Sequence, residues 1–140
     1  MKIKVAATQM SCDWEIDNNI KKSIHLIEKA AQQGANIVLL QELFQTPYFC
    51  IQYDEEIFKL AQPFENNTLI KEMSEVAKKN KVVLPISFFE KDNNAYFNSI
   101  AVIDSDGKIL GKYRKSHIPD GAGYLEKYYF NPGDTGFKVW

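Results

Sequence analysis

Apolar positions recur along this chain with two different periods. Residues 2 to 9, "KIKVAATQ", alternate apolar with polar, the period of a strand. Asp17 then reads as the N-cap of a helix running to Gln33, because Ile20, Ile24, Ile27 and Ala31 return at helical spacing. Gly34 supplies the C′ stop. "NIVLL", 36 to 40, is an unbroken apolar run and predicts a strand buried on both faces. Strand, helix and strand in quick succession predict an α/β fold built on a βαβ-like unit.

The second half reads differently. Residues 45 to 66 are looser, with a short helix near 55 to 60. "NTLIKEMSEVAKKN", 67 to 80, predicts a helix whose buried face carries Ile70, Met73 and Ala77. "VVLPISFF", 82 to 89, predicts a strand in which Pro85 marks an irregularity or an unpaired edge. "AYFNSIAVID", 95 to 104, is another strand, and "SDG", 105 to 107, is a hairpin turn into "KILGKYRK". The tail from Ser116 is loop-like, rich in Gly, Pro and Tyr, and "GDTGFKVW" reads as the beginning of a strand. An apolar strand interrupted at Phe137, Val139 and Trp140 predicts that residues 1 to 140 are the N-terminal part of a single larger domain.

Composition narrows the functional classes. With 45% hydrophobic and 25% charged residues, the sequence is that of an ordinary globular protein. A net charge of -1 gives no electrostatic reason to expect nucleic acid or an anionic membrane. No apolar run is long enough to cross a bilayer and no signal peptide is legible, which predicts a cytoplasmic protein. Two cysteines make no disulfide framework, and two histidines make no metal-ligand cluster, so no metal is expected.

Three segments could carry chemistry. Glu42 follows the apolar run 37 to 40 directly, and in α/β sheets the carboxyl ends of strands open onto the ligand crevice. A carboxylate there is partly desolvated, as a general base requires, or it is a surface glutamate at the start of a loop. In "GKYRKSHIP", Lys112, Arg114 and Lys115 flank a strand end; a lysine near Glu42 would offset its charge and stabilise an oxyanion, or the run is a solvated basic face. His117 sits in a turn, where a lone histidine more often makes structural hydrogen bonds. Glu126 lies among aromatic residues in "YLEKYYFNPGD", either perturbed by them or facing water. Cys12 and Cys50 have no basic partner nearby in sequence and read as small buried hydrophobes.

"VAATQM", "LLQELF", "NSIAVID", "GKILGKYRKSHIP" and "EKYYFNPGD", taken in order, resemble the carbon–nitrogen hydrolase (nitrilase) superfamily over essentially the whole chain. "QMSCDW", "QELFQTPYFC" and "LPISFFE" look like its branch that cleaves N-carbamoylputrescine to putrescine, carbon dioxide and ammonia in polyamine biosynthesis.

The resemblance implies the N-terminal half of a four-layer α-β-β-α sandwich, with a Glu–Lys–Cys triad and no cofactor. Glu42 matches the general base, Lys115 the catalytic lysine, and Glu126 the additional glutamate beside the lysine and the substrate. Tyr48, Tyr124 and Glu126 are candidates to receive the substrate's far amine. The nucleophilic cysteine of the family lies in a G-x-x-I-C-W-D-type motif that these 140 residues do not contain, and neither Cys12 nor Cys50 matches it. The expectation is therefore a chain inactive by itself, acting on a small molecule as a homo-oligomer when full length. Another amidase or a nitrilase of the superfamily is the nearest alternative. A naturally truncated, non-catalytic binding protein of the same fold is the more distant one.

Overall fold

The computed structural model describes residues 2–140. Strand β1 (Val5–Ala7) pairs in parallel with β2 (Ile37–Leu39) across helix α1 (Ile16–Gln32), which is the expected βαβ-like unit. Helix α2 (Thr68–Asn80) follows a 3-10 turn at Glu55–Leu60 and leads into an antiparallel meander of β3 (Leu84–Asp92), β4 (Ala95–Ile103) and β5 (Ile109–Arg114). Two hydrogen bonds join the pieces: Val38 N donates to Val83 O at 3.0 Å, and Val83 N donates to Asn36 O at 2.8 Å. Among the described residues, no helix is long and apolar enough to cross a membrane.

The pleat of β3 divides its side chains between two environments. Leu84, Ile86 and Phe88 join Ala101 and Ile103 of β4 in the core beneath the helices, with Ile27 of α1 and Ile70, Met73 and Ala77 of α2. Pro85, Ser87, Ile100 and Val102 point the other way, toward the face opposite α1 and α2. β3 starts two residues later than expected and runs on to Asp92, β4 ends one residue early, and β1 and β2 are shorter.

Several expectations need correction. β2 is covered on one face only: Val38 is buried, while Leu39 is 48% exposed on the side opposite α1 and α2. The N-cap of α1 is Glu15, not Asp17. The chain is turned there by Asp13 and Asn19. Asp13 Oδ1 accepts from Glu15 N, and Asn19 Nδ2 donates to Asp13 O. Asp17 sits in the first turn, where a carboxylate favours the helix dipole. The segment 131 to 140 forms no strand. Asn131 N instead donates to Tyr96 O, and Gly133 N donates to Lys115 O. Within the presumed loop, Glu126–Tyr129 makes a short helix, α3.

Other expectations hold. Gly34 follows α1 with φ +84°, a conformation that favours glycine. Asn67 caps α2 by accepting from Ile70 N. The turn before β5 is closed by Gly107, also in the left-handed region, and packs against Ser74 of α2. Pro85 lies just beyond the Val83 bridge, so its missing N–H falls where β2 no longer pairs with β3.

Candidate active site

Glu42 is fixed from both sides. The Gln41 side chain grips the Met10 backbone, accepting from its N–H at 2.6 Å and donating to its carbonyl at 3.0 Å. Leu43 takes φ +52°, rare for a non-glycine residue, and its N–H donates to the buried Ser87 Oγ at 2.9 Å. Asn19 Nδ2 ties α1 to Gln45 O, two residues further on. The chain therefore turns sharply at the end of β2 and holds Glu42 toward the face of the sheet opposite α1 and α2.

Lys115 reaches the same point from the end of β5. Its backbone N donates to Asn98 O and its backbone O accepts from Gly133 N, each at 2.8 Å. The basic run it belongs to is not a solvated face. Arg114 is buried on the helix side, paired with Glu90, Asp92 and Asp134 and stacked 3.8 Å from the Phe97 ring centroid. Lys112 also reaches Glu90. Strand alternation sends Lys115 to the opposite face, toward Glu42.

Glu126 arrives on α3, held by an aromatic cluster. Tyr129 and Phe130 pack on Phe49 and Phe89, and the Tyr129 hydroxyl donates to Gln52 O while accepting from Asp54 N. Glu126 is 3% exposed, so it does not face water.

These three side chains meet. Lys115 Nζ lies 3.0 Å from Glu42 Oε1 and 2.8 Å from Glu126 Oε2. The Tyr48 hydroxyl donates to Glu126 Oε1 at 2.7 Å, and Asn98 Nδ2 donates to Glu42 Oε1 at 2.5 Å. Glu42 and Lys115 line a cavity of about 370 Å³ whose wall is otherwise mostly apolar, including Leu39, Pro85, Ile100 and Tyr113.

The electrostatics separate the roles. Burial works against the Lys115 ammonium, but its hydrogen bonds to Glu126 and Glu42 prevail and its pKa is raised, so it is cationic at neutral pH. An ammonium has three N–H groups and two are engaged, which leaves one for a developing oxyanion. Burial, then the Glu126 contact, pushes the Tyr48 phenol upward, so it stays a donor. Glu42 Oε1 accepts two hydrogen bonds and Oε2 accepts none among the described residues.

The remaining candidates lie elsewhere. Tyr124 is exposed, lies against Gly121 and is not part of the cavity wall. Glu126 stays in the site, where its two oxygens accept from Tyr48 and from Lys115. His117 is exposed. Burial pushes the Cys50 thiol up to about 12 and also raises Cys12, which keeps both protonated at neutral pH. Asn98 and Ser87 were not singled out from the sequence. The available signal was strand alternation, which puts Asn98 on the same face as Ile100 and Val102, an amide on an otherwise apolar row.

A sequence profile described as carbon-nitrogen hydrolase matches residues 4–140. An N-carbamoylputrescine amidase of Solanum lycopersicum is 54% identical over 138 residues, covering 99% of this chain and 46% of that protein. A citrullinase of Francisella tularensis is 49% identical over 138 residues, covering 99% of this chain and 48% of that protein. The crystal structure of a carbon-nitrogen hydrolase from Helicobacter pylori G27 superposes with a TM-score of 0.88 at 39% identity, covering 96% of this chain and 46% of that one. The chain spans about half the length of the relatives it matches.

Proposed function

From the membership of this chain in the carbon–nitrogen hydrolase family, we propose that the full-length protein hydrolyses the terminal ureido group of a small amine, with N-carbamoylputrescine as substrate. The observation that carries this reading is the Glu42–Lys115–Glu126 relay at the edge of a largely apolar cavity. The two relatives named above point to the same group, since N-carbamoylputrescine and citrulline both end in a ureido unit.

In the proposed reaction the nucleophile is a cysteine from outside these 140 residues. Glu42 takes the thiol proton through Oε2, and the sulfur attacks the ureido carbon. Positioned proton transfer of this kind is worth about 10²–10⁴ in rate. Lys115 directs its unengaged N–H at the oxyanion of the tetrahedral intermediate. Collapse of the intermediate returns the proton from Glu42 to the departing amine and leaves the carbamoyl group on sulfur. Glu42 then takes a proton from water, which attacks the thioester. The thiol is regenerated and the released carbamate decomposes to carbon dioxide and ammonia. Glu126 keeps Lys115 in place throughout. Every step uses side chains and water, so the reaction needs no cofactor.

We propose a homo-oligomer for the full-length protein. The test is incubation of purified full-length protein with N-carbamoylputrescine and with simple nitriles. Putrescine and ammonia released in equal amounts are expected. Turnover of nitriles alone would replace this reading with that of a nitrilase.

A further inference from the structure

We infer that Asn98 is a positioning residue for the base, holding Glu42 Oε1 so that Oε2 is the oxygen that accepts the proton. The inference rests on the role proposed for Glu42. Asn98 is the one residue that touches both Glu42 and Lys115 from β4. Its side-chain amide donates to Glu42 Oε1 at 2.5 Å, while its backbone carbonyl accepts from the Lys115 backbone N–H at 2.8 Å. The side chain thus holds the same Glu42 oxygen that lies 3.0 Å from Lys115 Nζ.

The location argues against simple packing. Ile100 and Val102, the next residues of β4 on this face, are apolar. An amide that is 4% exposed must satisfy its N–H groups, and here one of them goes to the base. With Lys115 also on Oε1, both donors converge on one oxygen and the other is left open. A carboxylate without the amide would rotate about its last torsion, which is soft, and would present either oxygen.

The charged and titratable groups around Glu42 are Tyr113 of β5, Lys115 just past its end, Glu126 from α3, and Tyr48 and Cys50 from the loop that follows β2. A substitution at position 98 alters none of them. Asn98→Ser changes only the donor on Glu42, whereas Asn98→Asp also places a second carboxylate beside it. Loss of a hydrogen bond that favours the ionised carboxylate moves the acid limb of the rate profile to higher pH.

The experiment is a set of pH–rate profiles on the full-length protein with N-carbamoylputrescine, comparing wild type with Asn98→Asp, Asn98→Ser and Glu42→Gln. Asn98→Asp keeps the volume and removes the donor; Asn98→Ser leaves room for water. Both are expected to lower kcat about tenfold or more, change KM less than about threefold, and move the acid limb to higher pH. The move is larger for Asn98→Asp, where two carboxylates share a proton. A folded variant with wild-type kcat and acid limb overturns the inference, as does failure of both variants to fold, which would make Asn98 a structural residue only. A wild-type enzyme inert toward this substrate, or a fully active Glu42→Gln, defeats the functional reading itself and this inference with it. An inactive Glu42→Gln beside unaffected Asn98 variants defeats only the inference.

Discussion

Lys115 Nζ stands 3.0 Å from Glu42 Oε1, although the two residues are 73 positions apart. Two independent backbone devices create this contact: the turn at Leu43 held by Ser87, and the end of β5 held by Asn98 and Gly133. Neither depends on the ion pair itself, so the pair is imposed by the fold.

Replacing Lys115 with Met in the full-length protein should abolish turnover and also destabilise it. Glu126 is buried and would lose its cation, and removing one partner of a buried pair costs about 3–5 kcal/mol. Because Lys115 keeps part of its exposure, the lower end of that range is expected. Steady-state assay together with chemical denaturation checks both effects. A variant that melts like wild type would show that Glu126 does not depend on Lys115.

Acid sensitivity should come from Glu90. Burial alone would raise its pKa, but Arg114, Lys112 and Ser99 outweigh burial and hold it below the ordinary value of 4.5. A group depressed in the folded state contributes stability that is complete above its unfolded pKa and is lost as pH falls through the folded one. Stability should therefore decline as the pH drops below about 4.5. Glu90→Gln should lower stability at pH 7 and flatten that decline, measured as urea midpoints between pH 3 and 7. An unchanged slope would remove Glu90 from the explanation.

Gly133 is required by proximity. A Cβ there would lie 2.1 Å from Arg114 O and 2.5 Å from Arg114 C, backbone atoms that cannot swing aside. Gly133→Ala should cost about 2–4 kcal/mol. It should also reduce turnover, because the displaced strand end carries Lys115. Differential scanning calorimetry and a kcat measurement on the same preparation test the two consequences together.

Cys50 should be chemically silent. Its thiol is buried and pushed up to about 12, so almost none is thiolate at neutral pH. Cys50→Ala should retain turnover within about threefold, with some loss of stability from the cavity left behind. Loss of all turnover without unfolding would reopen Cys50 as a nucleophile.

The strand alternation and helical spacing carried most of the fold. The helix read over 67 to 80 is found at Thr68–Asn80, and the strands read over 82 to 89 and 95 to 104 are found at Leu84–Asp92 and Ala95–Ile103. Misplaced features share a physical cause. Asp17 reads as the N-cap of α1 because it precedes the apolar period, whereas the N-cap is Glu15, without a side-chain cap, and Asp13 and Asn19 turn the chain ahead of it through bonds across six residues. Leu39 was expected to be buried because its neighbours are apolar, but it lies on the face opposite α1 and α2. The site was legible where it is charged, at Glu42, Lys115 and Glu126, since charges beside apolar runs are conspicuous. Asn98, Ser87 and Gln41 are neutral, and their importance arises from long-range pairing that no local pattern encodes.

The most direct measurement is the rate of putrescine release from N-carbamoylputrescine by the full-length protein and by its Glu42→Gln variant. Glutamine keeps the shape and cannot take a proton, so a fall of about 10²–10⁴ with an unchanged melting temperature is predicted. Release by the folded variant within about threefold of wild type would contradict the assignment of Glu42 as the base, and with it the site described here.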